Sequence, residues 1–145
     1  METGSDVAIP VVAVVDDDEA VRSALDNLLR SLGLEVVTFA SAEAFLASPV
    51  CASAACLIAD VQMAGMSGLD MQRHLRSAGN RMPIIMMTAF PQDHVRQRAV
   101  ADGALGLFAK PFESGALIDC LEQALRRHAA GQSPLSGRHC QRPDS

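Results

Sequence analysis

The stretch "AVVDDDEAV", residues 13–21, carries an apolar run straight into three carboxylates, Asp16, Asp17 and Asp18, with Glu19 behind them. Like charges this close repel one another, so a strand that ends in them needs a compensating positive charge. Asp18 has an ordinary use, because an aspartate in front of a helix accepts hydrogen bonds from the first free N–H groups. Asp16 and Asp17 lie before this cap position.

Apolar runs alternate with segments of helical periodicity along the chain. The runs predict five strands, at residues 8–15, 34–40, 55–60, 82–89 and 104–109. The segments between and after them predict five helices, at about residues 19–32, 41–48, 69–79, 93–103 and 113–128. Strands that alternate with helices at this spacing make right-handed crossovers, which give a parallel sheet covered on both faces. The chain is therefore predicted to be α/β, a single (βα)5 domain.

The ends and inner faces of these helices are also readable. Ser41 is a predicted N-cap, and Gly33, Gly79 and Gly103 are predicted helix ends. The first helix is expected to turn inward the residues Val21, Leu25, Leu28, Leu29 and Leu32. The last helix is expected to turn inward Leu117, Ile118, Leu121 and Leu125.

Composition excludes several classes of protein. The length of 145 residues suits one domain, and 49% hydrophobic with 20% charged residues is typical of a globular chain. A net charge of −5 disfavours nucleic acid and anionic membranes as direct partners. Signal-peptide features and a bilayer-length apolar stretch are both missing, so we expect a cytoplasmic protein. Residues 1–7 are expected to be disordered, residues 8–129 to form the domain, and residues 130–145 to be a flexible tail or linker stump.

Polar side chains lie at or directly after the carboxyl ends of four of the five predicted strands. Ligands of parallel α/β sheets bind beyond the carboxyl ends of the strands, and those ends carry Asp16 and Asp17, Asp60, Thr88 and Lys110. Three carboxylates suit Mg²⁺, and clustered without a metal they should raise one another's proton affinity. A hydroxyl and an ammonium suit a tetrahedral anion held against that metal. The pattern indicates phosphoryl transfer.

Each of these residues has an ordinary explanation when taken alone. The run from Asp16 to Glu19 fits helix capping and the helix dipole, and Asp60 fits a turn. Thr88 is a typical strand residue, and Lys110 a typical surface charge. Their coincidence at four strand ends is what favours a site.

Four stretches together resemble the receiver domain of bacterial two-component response regulators: "VVDDDEAVRSAL", "LIADVQMAGMSGLDM", "IIMMTA" and "AKPF". The resemblance covers residues 8 to about 128. The motifs are most similar to those of the FixJ-type subgroup, whose members often carry a DNA-binding output domain. It implies a doubly wound, flavodoxin/CheY-like sheet of five parallel strands in the order 2-1-3-4-5. It also implies a regulatory domain rather than an enzyme, one that catalyses only its own phosphotransfer and autodephosphorylation.

The resemblance assigns roles residue by residue. Asp60 would accept a phosphoryl group from the phosphohistidine of a sensor histidine kinase. Mg²⁺, with Mn²⁺ able to substitute, would be held by Asp60, by Asp17 directly, by Asp16 mainly through water and by the backbone carbonyl of Gln62. The phosphoryl oxygens would be bound by Thr88, Ala89 and Lys110, with Pro111 following a cis peptide bond.

The same resemblance implies an output surface made of the fourth predicted helix, the fifth strand and the fifth helix, often used for phosphorylation-favoured homodimers. Here that surface is expected to include Val95, Val100, Ala101, Leu105 and Leu107. Leu107 stands where the family usually has an aromatic switch residue, so output is expected to be muted or carried by Phe108 or Phe90.

Three positions near the acceptor are expected to tune the site. Ala64 replaces a common proline, so the loop after Asp60 is expected to be less stiff. Phe90 is expected to exclude water from an acyl phosphate more strongly than Gln62 orients it, giving a long-lived phosphorylated state.

Two alternatives come from other classes of protein. Asp16-Asp17-Asp18 also reads as the D-x-D motif of a haloacid-dehalogenase-type phosphatase with Asp16 as nucleophile, although the chain has no room for a cap and no acidic pair after Lys110. The other alternative is a receiver-like interaction module that never accepts phosphate.

Overall fold

The computed structural model describes residues 9–131, of which residues 129–131 are described by their backbone only. This part of the chain contains five strands and six helices. The strands are β1 (Val11–Val15), β2 (Glu35–Phe39), β3 (Cys56–Asp60), β4 (Ile84–Thr88) and β5 (Gly106–Ala109). The helices are α1 (Glu19–Ser31), α2 (Ala42–Leu46), α3 (Val50–Ser53), α4 (Gly68–Ser77), α5 (Asp93–Ala101) and α6 (Ser114–Gly131). All strands are parallel, in the order β2-β1-β3-β4-β5, which confirms the predicted topology.

Two apolar cores lie on the two faces of this sheet. One contains the inner faces of α2, α4 and α5, with Phe45, Leu57 and Met86 fully buried. The other contains the inner faces of α1 and α6. Every residue of β3 and β4 is buried, because these strands are covered on both sides, and this explains their uninterrupted apolar runs. Each large aliphatic side chain buried in this way contributes about 1.5–3 kcal/mol.

The structure differs from the predicted elements mainly at their ends. β1 begins at Val11 and β4 at Ile84, each directly after a proline, which has no N–H for the ladder. The four-residue helix α3 was not predicted; it follows Pro49, and Val50 N–H donates to Ser48 Oγ at its start. α6 continues through Gly131, so the first two residues of the predicted tail are helical. The remaining tail and residues 1–8 lie outside the described residues.

Two predicted side-chain placements are wrong. Leu32 is 43% exposed, because α1 ends at Ser31 and Leu32 only caps it. Val95 was expected on the output surface but is buried, because the first turn of α5 packs it against the core that contains the inner face of α4. The caps at Asp18 and Ser41 are confirmed, as are the helix ends near Gly33, Gly79 and Gly103, which all have positive φ. Within residues 9–131, no helix has the length and apolar character needed to cross a bilayer.

Candidate functional site

The register of the sheet brings the predicted site residues together. Val15 pairs with Ala59, so Asp16 follows β1 beside Asp60 at the end of β3. Thr88 pairs with Ala109, so Lys110 follows β5 at the same edge. Lys110 N–H continues the ladder by donating to the Thr88 carbonyl at 2.8 Å. In-register parallel strands therefore deliver residues that are far apart in sequence to one edge.

The turn from β1 into α1 fixes the first two aspartates. Asp16 Oδ1 accepts from the Asp18 N–H at 2.9 Å, and Asp18 Oδ1 accepts from Ala20 N–H at 2.9 Å as the cap of α1. The guanidinium of Arg22 donates to the Asp16 carbonyl at 2.7 Å. Asp16 is 2% exposed, whereas Asp17 is exposed. The turn thus presents one buried and one accessible carboxylate.

The loop after Asp60 is tied to its surroundings by backbone donors. Ala64 N–H donates to Asp17 Oδ2 at 3.4 Å, and Met66 N–H donates to Glu43 Oε2 at 3.0 Å. A proline at position 64 would have no N–H to give, so the departure from the family pattern supplies a link to Asp17. Gly68 closes the loop: a Cβ there would lie 2.2 Å from the Asp60 carbonyl oxygen.

One ammonium group meets two buried carboxylates at the centre of the site. Lys110 Nζ lies 2.8 Å from Asp16 Oδ2 and 3.2 Å from Asp60 Oδ1. Asp60 is 4% exposed, and the Lys110 side chain is 18% exposed. Lys110 is therefore the positive charge that the opening acidic run requires, but it is a single charge.

Burial is the main reason why the pKa of the Asp60 carboxyl group is unusually high. Removal from water, reinforced by the charge of Asp16, raises the pKa of Asp60 to about 6, while Lys110 and the Gln62 backbone N–H oppose this rise. The sequence analysis expected the raised proton affinity but attributed it to the clustering of charges alone. For Lys110, burial lowers the pKa, but the bonds to Asp16 and Asp60 outweigh it, so the pKa lies above its ordinary value.

The donor set suits a divalent metal ion. One carboxylate oxygen from each of Asp16, Asp17 and Asp60 lies within 4.8 Å of the others. Three carboxylates against one ammonium leave two negative charges in excess, and hard oxygen ligands favour Mg²⁺ or a similar cation. The acidic cluster could therefore hold a metal ion.

A hydrogen-bond chain occupies the hydroxyl at the end of β4. Thr88 is fully buried, its Oγ1 donates to Gln62 Oε1 at 2.7 Å, and Phe90 N–H donates to Thr88 Oγ1 at 3.0 Å. Ala89 is exposed next to it, and the bond between Lys110 and Pro111 is cis, as expected. The Phe90 residue is 65% exposed, so in this structure little of it is available to cover the acceptor.

Comparison with known proteins decides the family. The model of the response regulator receiver domain matches residues 12–122. The response regulator protein TmoT of Ectopseudomonas mendocina is 42% identical over 116 residues, which cover 80% of this chain and 53% of that protein. The transcriptional regulatory protein FixJ of Azorhizobium caulinodans is 39% identical over 118 residues, which cover 81% of this chain and 56% of that protein. The chain belongs to the response regulator receiver domains.

A solved structure supports the same assignment for the receiver domain. The response regulator StyR superposes with a TM-score of 0.82 and 41% identity, covering 92% of this chain and 66% of that chain. This receiver domain spans about half the length of TmoT and FixJ. Receiver domains are regulatory parts of two-component systems that interact with sensor kinases, and phosphorylation controls their signalling.

Several contacts of the receiver domain had no counterpart in the sequence analysis. The bond from Thr88 to Gln62 was missed, because Gln62 was considered only for water and for its carbonyl. Glu43 was missed because it lies in another helix, 23 residues before Met66, and it accepts a hydrogen bond from the Met66 N–H. The role of Gly68 was missed, because nothing in the local sequence indicates that the Asp60 carbonyl lies against it.

Proposed function

We propose that this receiver domain is a phosphorylation-controlled switch that takes a phosphoryl group from the phosphohistidine of a sensor histidine kinase onto Asp60. The observation that carries the proposal is the contact of Lys110 Nζ with both Asp16 and Asp60 at the carboxyl edge of the sheet. It places a fixed positive charge beside a buried carboxylate, where a phosphoryl group would develop negative charge.

The proposed reaction is a transfer between two nucleophiles. A carboxylate oxygen of Asp60 attacks phosphorus, the P–N bond to the kinase histidine breaks, and the imidazole keeps the bonding electrons and gains a proton from solvent. Water later attacks the acyl phosphate, which releases inorganic phosphate and restores the Asp60 carboxylate. In both steps Lys110 would hold one phosphoryl oxygen, and Thr88 and the Ala89 N–H would hold others.

The geometry favours Asp60 over Asp16 as the nucleophile. Both Asp16 oxygens are engaged, one by the Asp18 N–H and the other by Lys110. Asp60 has one oxygen near Lys110, at the longer distance of 3.2 Å. The family membership also argues against the phosphatase alternative, in which Asp16 would be the nucleophile.

We assign the metal to the acidic cluster. When bound, Mg²⁺ or Mn²⁺ neutralises charge on the phosphoryl oxygens and helps to orient them. The residues that would hold it are Asp16, Asp17, Asp60 and the backbone carbonyl of Gln62. Thr88 would have to exchange its bond to Gln62 for one to a phosphoryl oxygen, so Gln62 competes with the phosphoryl group for this hydroxyl.

The proposed output surface is α5, β5 and α6, which correspond to the fourth predicted helix, the fifth strand and the fifth predicted helix. Val100 on α5 is 62% exposed. Leu105 and Leu107, which follow it in the sequence, are partly buried. Exposed apolar area of this kind favours a homodimer when phosphorylation rearranges the surface. The domain of residues 8–129 would act in the cytoplasm and, like the relatives named as transcriptional regulators, would control transcription.

Phosphorylation by acetyl phosphate tests the proposal. With Mg²⁺ the parent should gain one acid-labile phosphoryl group, Asp60→Asn should gain none, and removal of the metal by EDTA should stop the reaction. Asp18→Asn is the matched control, because asparagine also caps a helix and this residue lies outside the proposed ligand set. Metal-dependent labelling of Asp60→Asn would contradict the proposal, and an unlabelled parent would favour the interaction-module alternative.

A further inference from the structure

A cavity separate from the acidic site lies at the amino-terminal end of the sheet. Its volume is about 300 Å³, and its walls include Met82 and Pro83, which precede β4. Three arginines reach it from different parts of the fold: Arg76 from the end of α4, Arg81 from the loop before β4, and Arg127 from α6. Among the described residues that line it, none is an aspartate or a glutamate.

Arg76 is the fixed member of this group. Its guanidinium donates to four backbone carbonyls: Asp102 at 2.9 Å, Met82 at 2.8 Å, Asn80 at 3.1 Å and Gly103 at 3.3 Å. Carbonyl groups orient the guanidinium but bring no net charge. The carbonyls therefore hold Arg76 in place without neutralising its charge, and the four bonds leave one N–H of its guanidinium for a ligand.

The other two arginines add charge to the same space. No salt bridge between described residues involves Arg81 or Arg127, and the nearby Asp102 carboxylate is bonded to Arg73 at 3.3 Å. Burial is the main cause that lowers the pKa of Arg76; the charge of Arg81 adds to the shift, and Asp102 opposes it. Three arginines with no carboxylate among the described lining residues stand out in a chain whose net charge is −5.

We propose that this cavity binds a small phosphate-bearing molecule. The guanidinium groups of Arg81 and Arg127 match a phosphate dianion in charge, their N–H forks match its oxygens in geometry, and Arg76 adds a further positive charge at a fixed position. His128 lines the same cavity and offers a further ring donor. The side chains of Ala52 and Pro83 give an apolar surface for the organic part of a phosphate ester, and the volume is at the lower end of the range for small-molecule sites.

This binding site is separate from the phosphorylation chemistry at Asp60. Met82 and Pro83 of the cavity precede β4 and Gly103 precedes β5, whereas Thr88 is the last residue of β4 and Lys110 follows β5. Binding at the cavity and labelling at Asp60 can therefore fail independently, and binding is measured in EDTA so that the acidic site holds no metal.

Calorimetric titration of the full chain with phenyl phosphate tests the proposal, with benzoate as a monoanion of the same ring and chloride at matched ionic strength. Phenyl phosphate should bind saturably and more tightly than benzoate. Arg81→Gln and Arg127→Gln should each weaken it about tenfold, as expected for one charge-assisted contact. Arg96→Gln, an exposed arginine of α5 outside the cavity, should leave the affinity unchanged.

Three results would overturn the proposal. The first is no saturable binding of phenyl phosphate to the parent. The second is an equal loss in Arg96→Gln and in the two cavity variants, because that would show attraction to the protein surface in general. The third is benzoate binding as tightly as phenyl phosphate, which would exclude a phosphate-specific site.

Discussion

The two ends of this sheet carry opposite charge and are built in different ways. At the carboxyl end, Asp16, Asp60 and Lys110 each sit at or directly after the last residue of a strand, and the sheet register alone brings them together. At the amino end, Arg76 and Arg127 come from helices, and the backbone carbonyls of two loops fix Arg76. The register of the sheet thus positions the residues of the acidic end, whereas the surrounding helices and loops position those of the basic end.

The largest effect is expected from crowding the acidic end at Gly68. In Gly68→Ala the new Cβ would lie 2.2 Å from the Asp60 carbonyl oxygen, so the loop or β3 must shift. We expect a loss of about 1–3 kcal/mol in the free energy of unfolding, measured by urea titration, and nearly complete loss of labelling by acetyl phosphate.

Gly115→Ala is the control for that change. A Cβ at Gly115 meets first the side chain of Glu113, at 3.2 Å, and alanine in a helix favours folding by about 0.5–1 kcal/mol over glycine. Labelling of this variant should be normal. If Gly68→Ala is labelled as fast as the parent, the close approach to Asp60 is not needed for the site.

Replacing one aspartate at a time at the acidic end distinguishes the carboxylates that bind the metal from the one that caps α1. Asp17→Asn should weaken Mg²⁺ binding about tenfold or more, because it removes a charged oxygen ligand from the cluster. Asp18→Asn should change the affinity little, because Asp18 caps α1. Isothermal titration with MgCl₂ measures both variants. Equal losses would mean that the wrong carboxylates are assigned to the metal.

A smaller effect is expected from the side chains that flank the acceptor. Gln62→Ala releases Thr88 Oγ1 from its 2.7 Å bond, so the decay rate of the phosphorylated protein should change several-fold. Phe90→Ala should change it less, since Phe90 is 65% exposed. Decay in excess Mg²⁺ compares the two. A larger acceleration in Phe90→Ala would instead support the shielding that the sequence analysis expected.

The smallest effect is expected at the proposed output surface, which is made of α5, β5 and α6. Beryllofluoride, which mimics the phosphorylated state, should raise the apparent mass in light scattering by at most a factor of about two, as for a dimer. Val100→Glu on α5 should prevent the increase. Leu32→Glu, an exposed leucine at the end of α1, should not. An increase that survives Val100→Glu would exclude this surface as the contact.

The contrast between the ends also explains how much the sequence could predict. Asp16, Asp60, Thr88 and Lys110 were predictable, because apolar runs mark strand ends and parallel register aligns them. The bond between Thr88 and Gln62 and the contact at Gly68 depend on the path of one loop, which no periodicity encodes. The arginine cavity was missed for the same reason, since its residues share no local pattern.

Errors in the fold have similarly local causes. Leu32 continues the apolar spacing of α1, but the helix ends one residue earlier, so the spacing no longer points it inward. α3 is only four residues long, too short for a periodic signal. Val95 was assigned with Val100 to the output surface that the family resemblance implied, yet five residues along a helix place the two side chains on different faces.

The central claim is that Asp60 is the residue that carries the phosphoryl group. Borohydride reduction of the acetyl phosphate-treated parent converts an acyl-phosphorylated aspartate to homoserine, and peptide mass spectrometry then locates it. The account predicts homoserine at position 60 alone, formed only with Mg²⁺ present and absent from Asp60→Asn. Homoserine at position 16 or 17 in place of 60 would contradict it.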